Sequence, residues 1–305
     1  MPFAKANGIE IAYEEFGAAD APAILLIMGL GVQMTGWRES FCERLAGGGF
    51  RALRFDNRDT GLSTKFPEGG EPDMGKLFQR AMRGEPVEAP YTLVDMANDG
   101  VGLLDALGIA RAHIVGVSMG GMIAQIIAAD RPDRALGLVS IMSTSGRPGL
   151  PPGKPEALTA LMTPPANSAR ETVIEQLMHS RRVIGSPGFP EDEAILRQQV
   201  EASYDRCYYP QGIARQTAAI LKSGSRVERL ERIRVPSLVI HGLDDPLVPV
   251  EAGRDTAATI PGAALQLVAG MGHGLESALE MRIADAIIAF CSRTGRDERA
   301  RARAP

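Results

Sequence analysis

Ser118 lies in Gly116-Val117-Ser118-Met119-Gly120, a Gly-x-Ser-x-Gly pattern with Gly121 after it. Five residues of this kind recur by chance, so the flanks decide. Ala112-His113-Ile114-Val115 is an apolar strand pattern, and Met122-Ile123-Ala124-Gln125-Ile126-Ile127 is an apolar helix pattern. A serine between a strand and a helix, with glycine two positions to either side, is the signature of a tight turn that exposes a nucleophilic hydroxyl. Side chains at 116 and 120 would collide in such a turn, and the helix N-terminus offers free N–H groups to a developing anion. Serine there, and neither Asp nor Cys, means an acyl-enzyme, hence an ester, thioester, amide or lactone as substrate.

A nucleophilic serine needs a base and a group to orient it. The chain has four histidines: His113, His179, His241 and His273. His113 opens the strand before Ser118, at the wrong end of the sheet. His179 falls in a helical stretch, and His241 ends a later strand. His273 sits in Gly270-Met271-Gly272-His273-Gly274, a loop able to present an imidazole. Candidate acids are Asp244 and Asp245 in His241-Gly242-Leu243-Asp244-Asp245-Pro246-Leu247-Val248-Pro249, and either could orient the histidine.

The elements that must position these residues alternate along the chain. Phe3–Phe16 reads as a hairpin about Asn7-Gly8. Ala23–Met28, Phe50–Phe55, Ala112–Val117 and Ala135–Met142 read as strands. Trp37–Ala46, Tyr91–Leu107 and Met119–Ala129 read as helices between them. Repeated strand–helix units predict a mostly parallel sheet with helices on both faces, an α/β architecture. The alternation stops at a Pro- and Gly-dense stretch, Gly146–Pro165, read as structureless. Helix-like segments follow at Ala169–Ile184, Glu191–Tyr204 and Gly212–Lys222. Alternation resumes with Pro236–His241, Glu251–Ile260, Ala264–Val268 and Leu275–Cys291. The reading is a core in two parts, residues 1–143 and 227–292, a helical cap at 144–226, and a disordered Arg-rich tail at 293–305.

Composition narrows the partners. A net charge of −4 over 305 residues argues against nucleic acid, which calls for a basic surface. Cys42, Cys207 and Cys291 are far apart and suggest buried apolar residues, with neither a disulfide framework nor a metal site. The first residues lack a signal-peptide pattern and no apolar run approaches membrane-spanning length, so the expected location is the cytoplasm.

With these segments in hand, the chain resembles the α/β-hydrolase superfamily over nearly its whole length. Leu26-Ile27-Met28-Gly29-Leu30-Gly31, Trp37 and Arg54-Phe55-Asp56-Asn57-Arg58-Asp59-Thr60-Gly61-Leu62-Ser63, with the Ser118 pentapeptide, look like the aclacinomycin methylesterases and related bacterial carboxylesterases. The resemblance implies the α/β-hydrolase fold with a helical cap and the chain order nucleophile, acid, histidine, which leaves His273 as the base. It also favours Asp245, because related hydrolases carry Gly-x-x-Asp with Pro four residues later, as Gly242, Asp245 and Pro249 do. The oxyanion donors it implies are the N–H of Met119 and of Leu30, the latter in a loop where most relatives have His-Gly and this chain has Met28-Gly29. The implied activity is a cofactor-free, metal-free carboxylesterase acting on a small-molecule ester. An amidase, an iminopeptidase or a C–C bond hydrolase could use the same triad, and a non-catalytic ligand receptor could keep the fold. Apolar residues of the cap, among them Leu158, Leu161, Met162, Leu177 and Met178, are candidates for a pocket or for the cap's own core.

Overall fold

A computed structural model describes residues 1–303, without the side chains of residues 296–303. Its centre is a sheet of eight strands in the order β1-β2-β4-β3-β5-β6-β7-β8. These are β1 (Phe3–Ala6), β2 (Ile9–Phe16), β3 (Ala23–Ile27), β4 (Arg51–Phe55), β5 (Ala112–Val117), β6 (Ala135–Ile141), β7 (Ser237–Gly242) and β8 (Ala264–Val268). Strand β2 is antiparallel to both β1 and β4, and every other pair is parallel. Asn7 and Gly8 both take positive φ, the geometry of the tight hairpin turn that this dipeptide predicts.

The central strands are apolar on both faces. Leu25, Ile27 and Ile114 face one core, with α3 (Leu93–Ala106) and α4 (Met119–Asp130). Ile24, Leu26, Val115 and Val117 face the other, with α1 (Glu39–Gly47) and α11 (Ser277–Arg303). That two-sided burial is why the strands read as continuous apolar runs. Helix α3 starts in a capping box, Thr92 with Asp95, which sets its first turn.

Strand order reverses at β3, whose neighbours are β4 on one side and β5 on the other. The loops after β3 and β5 therefore leave the same sheet edge side by side, the usual place for a ligand crevice in an open α/β sheet. Between β6 and β7 run α5 (Pro155–Met162), α6 (Arg170–Ile184), α7 (Glu193–Arg206) and α8 (Pro210–Ser223). Short α9 (Val227–Leu230) leads into β7, and α10 (Val250–Thr259) joins β7 to β8. Arg226 staples the two ends of this insertion. Its backbone N–H donates to Ser145 O, and its guanidinium donates to Thr144 O at 2.8 Å, Gly224 O at 2.7 Å and Gln125 Oε1 at 3.2 Å on α4.

Several details differ from the sequence reading. Gly146–Pro165 contains a helix, α5, because Pro155 stands at its first position, where a missing N–H costs nothing. Helix α2 (Met74–Met82) escapes notice in the sequence between flanking Gly and Pro, yet Asp73 caps it and Leu77 packs with Val87 and Ala218. Trp37 belongs to a turn before α1 rather than to the helix. The stretch from Arg293 expected to lack structure continues α11 to Arg303, with Thr294 buried; residues 304–305 lie outside the described ones. Among the described residues no helix is long and apolar enough to cross a membrane.

Candidate active site

Ser118 is the hinge between β5 and α4. Its backbone has φ 53° and ψ −120°, a strained conformation for a residue with a Cβ. The turn holds because nothing else fits. A Cβ at Gly116 would stand 2.1 Å from Gly120 O, and one at Gly120 would stand 2.1 Å from Ile27 O. Ser118 N donates to Ile141 O at 2.9 Å, and Ser143 Oγ donates to Ser118 O at 2.8 Å, so the end of β6 and the residues just after it brace the strained residue.

Three of the sequence candidates meet here. Ser118 Oγ lies 3.0 Å from His273 Nε2, and His273 Nδ1 lies 2.8 Å from Asp245 Oδ2. A carboxylate only accepts, so it holds the proton on Nδ1 and leaves Nε2 free to accept from the serine hydroxyl. Asp245 Oδ1 accepts from Leu247 N at 2.9 Å and Val248 N at 2.8 Å, and its side chain is fully enclosed. Burial pushes its carboxyl up. The His273 imidazole, its hydrogen bond and the Val248 N–H outweigh that and hold it below the usual range.

Asp244, the other acid, is exposed and does not reach the imidazole. Its Oδ2 accepts from Gly270 N at 2.7 Å and so tethers the loop that carries His273. His241 is a neighbour that the sequence reading set aside. Fully buried, its Nε2 lies 2.8 Å from Val248 O and 3.6 Å from Asp245 Oδ2. Burial lowers its pKa, so it stands neutral behind the acid. His113 is buried at the start of β5, and His179 lines an open, charged dent on α6 whose wall holds none of Ser118, Asp245 or His273.

Both candidate oxyanion residues carry backbone N–H groups without an acceptor among the described residues. Met119 is the first residue of α4, so no residue of the helix precedes it to accept its N–H. The Leu30 N–H has no acceptor among the described residues, whereas the N–H groups of Gly31 and Val32 beside it are both bonded. Gly29 brings its loop close enough that a Cβ there would be 3.3 Å from Ser118 Cβ.

The Asp56–Ser63 segment is a brace. Asp56 is buried and accepts from Met34 N at 2.8 Å, Leu62 N at 2.8 Å and Arg206 Nη2 at 2.7 Å. Asn57 Nδ2 donates to Met28 O at 2.9 Å. Arg58 pairs with Asp99, and Asp59 pairs with Arg215 on α8 through two bonds of 2.9 Å. Leu177 and Met178 pack into the insertion's own core with Ile174, Leu196 and Val200, while Leu158 and Leu161 are exposed. Cys42 and Cys291 are buried, and burial pushes the Cys42 thiol up to about 12. Cys207 is only half-buried, against expectation, because it follows α7 at the edge of the insertion. Among the described residues no cluster of His, Cys, Asp and Glu could hold a metal.

Against known proteins, the model of the alpha/beta hydrolase family matches residues 24–284. The chain belongs to that family. It is similar to rhodomycin D methylesterase DauP of Streptomyces sp. (strain C5), 30% identical over 292 residues that cover 89% of this chain and 91% of the relative. A 2-hydroxy-6-oxononadienedioate/2-hydroxy-6-oxononatrienedioate hydrolase of Burkholderia vietnamiensis is 26% identical over 272 residues, 87% of this chain and 85% of that one. Among solved structures, the enol-lactonase of Burkholderia xenovorans LB400 superposes with a TM-score of 0.70 at 24% identity, over 95% of this chain and all of that one. This last likeness speaks for the fold.

Proposed function

We propose that the protein is a serine hydrolase that cleaves carboxylic esters through an acyl-enzyme, with Ser118 as nucleophile, His273 as base and Asp245 as the acid that orients it. The observation that carries this is the unbroken hydrogen-bond chain Ser118–His273–Asp245, set at a strained strand–helix turn beside the Met119 and Leu30 N–H groups, which have no acceptor among the described residues. Homology to a methylesterase over most of both chains points to the same reaction class.

His273 Nε2 takes the Ser118 proton as Oγ attacks the ester carbonyl, and Asp245 stabilises the imidazolium. The N–H groups of Met119 and Leu30 hold the oxyanion. His273 then passes its proton to the departing alkoxide, and the alcohol leaves. Water, deprotonated by His273, attacks the acyl carbon, and Ser118 leaves as the proton returns to it. The insertion at 144–226 serves as a cap over the substrate. Three unpaired cysteines suit a reducing compartment, and we place the protein in the cytoplasm.

The test is turnover of a p-nitrophenyl ester panel that varies the acyl chain, with methyl esters added to vary the alcohol. Ser118→Ala and His273→Ala each reduce turnover to background, and a fluorophosphonate probe labels the wild type on Ser118. Full activity in the Ser118 variant would sink the mechanism. The dienedioate hydrolase relative favours a second reading, C–C bond hydrolysis on the same residues. Faster turnover of a vinylogous 1,5-diketone than of any ester decides for it.

A further inference from the structure

The loop Met28–Gly31 must aim the Leu30 N–H at the developing oxyanion, yet it has little structure of its own. Gly31 takes φ 66°, and the loop's self-contact is one long bond, Val32 N to Gly29 O at 3.3 Å. Its anchors come from elsewhere. At one end Asn57 Nδ2 donates to Met28 O at 2.9 Å. At the other, the Gly31 N–H donates to Gln216 Oε1 at 2.8 Å. Gln216 lies on α8, far along the chain, and is completely buried. Its Nε2 donates to Arg58 O at 2.8 Å and to Thr60 Oγ1 at 2.7 Å. One amide therefore bridges the Leu30 loop and the Asp56–Ser63 brace.

Helix α8 is pinned for this task. Gly212, Arg215 and Gln216 fall on one face at helical spacing. A Cβ at Gly212 would stand 2.0 Å from Asp59 O, so only glycine lets the helix come this close. Arg215, next to Gln216, holds Asp59 through two 2.9 Å bonds. The amide has almost no freedom to move.

We propose that Gln216 is a positioning residue for the oxyanion site: by holding the N–H of Gly31 it fixes the peptide beside it and aims the Leu30 N–H. The inference rests on the proposed ester-hydrolase reading. An α8 residue, and not a side chain of the Met28–Gly31 loop itself, thus sets the geometry of that loop.

The test is Gln216→Leu, which keeps the volume and removes both ends of the bridge. On p-nitrophenyl acetate, kcat falls about 10- to 100-fold, part of the loss expected from deleting an oxyanion donor outright. KM stays within about threefold, because the ground-state carbonyl leans little on the donors. Affinity for an aryl trifluoromethyl ketone, which forms a tetrahedral adduct, falls by the same factor as kcat/KM. The midpoint of the pH–rate profile stays put, since His273 and Asp245 are untouched. A role in general packing alone would move the melting temperature and leave ketone affinity level with KM, and that result, or a kcat within twofold of wild type, overturns the inference. Thr60→Val removes one of the two acceptors of the Gln216 amide and is the arm to read if the leucine variant does not fold; it lowers kcat about two- to fivefold at constant KM, and an unchanged kcat there counts against the bridge. Ser118→Ala runs alongside. If it keeps wild-type turnover, the ester-hydrolase reading falls and the inference with it. If it is dead while Gln216→Leu is normal, only the inference falls.

Discussion

Replacing Asp245 by Asn tests which of two adjacent acids orients the base. Three donors converge on the two oxygens of Asp245: His273 Nδ1 at 2.8 Å on Oδ2, with Leu247 N at 2.9 Å and Val248 N at 2.8 Å on Oδ1. An amide can present its oxygen to one side only. Facing the two backbone N–H groups, it keeps both bonds and turns its NH2 toward His273. Facing His273, it would set the NH2 against two N–H donors in an enclosed site, which forfeits two hydrogen bonds at about 1–3 kcal/mol each. The first orientation wins, and it forces the imidazole proton onto Nε2, where it can no longer accept from Ser118. The expected fall in kcat is about 10⁴-fold, the scale of the same tautomer defect in other Ser–His–Asp hydrolases, equivalent to roughly 5 kcal/mol of barrier. KM changes little. Asp244→Asn is the control: its amide oxygen can take over the Gly270 N–H at the exposed position, so kcat stays within about threefold. Steady-state kinetics on p-nitrophenyl butyrate at pH 8 separates the two. A loss beyond a hundredfold in the Asp244 variant, with Asp245→Asn near normal, would transfer the role of acid and refute the tautomer argument.

Two further outcomes follow from buried ionisable groups. His113 is buried, and burial, with help from Arg111, pushes its pKa down to about 4. The folded protein keeps it neutral while the unfolded chain protonates it near 6.5, so its contribution is whole above that pH and drains away as pH falls toward 4, a loss on the order of 3 kcal/mol at most. Urea midpoints should therefore drop between pH 7.5 and 5, and less steeply in His113→Phe, with His241 supplying part of the remaining slope; equal slopes in both proteins contradict the assignment. Arg215→Met leaves Asp59 enclosed with Tyr91 OH and Phe66 N as its other partners, at a cost of about 3–5 kcal/mol. For a chain of this length that corresponds to a melting temperature lower by about 5–8 °C. A change under 2 °C by scanning calorimetry would mean that the pair contributes no net stability.

Local chemistry makes most of the candidate site legible in the sequence. The Ser118 turn announces itself because Gly116 is needed for a contact with Gly120 four residues on, and strand and helix patterns on either side are strong, although Gly120 itself answers to Ile27 O on a distant strand. Asn7-Gly8 is readable for the same reason. Where the physics is long-range, legibility ends. Asp244 and Asp245 differ by one position, and only the fold decides that one is buried against His273 while the other ties down Gly270. Gln216 gives no signal at all, being one polar residue in an amphipathic helix whose bonds span more than 150 residues. Helices α2 and α5 were hidden by flanking Pro and Gly, which mark ends as readily as loops.

The insertion has a structural consequence of its own. The two loops that face Ser118 are rich in glycine, and such loops have low local stability and cannot hold a side chain or an N–H to a few tenths of an ångström unaided. Gln216 braces the Leu30 loop. The loop bearing His273 is held by the end of α6 and the turn after it: Ile184 O accepts from His273 N at 2.7 Å, Ser186 Oγ accepts from Gly272 N at 2.9 Å, and Gly188 N donates to Gly270 O at 2.9 Å. Ser186 N in turn donates to Glu276 Oε1 at 2.8 Å, closing the bracket on the far side of His273. The Leu30 loop and the His273 loop are thus both tied to the insertion, one through α8 and the other through the end of α6, while Arg206 on α7 and Arg215 on α8 pair with buried Asp56 and Asp59. An element that only covered substrate could open as a rigid lid without touching the chemistry. This one cannot lift without releasing the Gly31 N–H at one end and the His273 N–H at the other, so any displacement of the insertion would also disturb the loops beside Ser118.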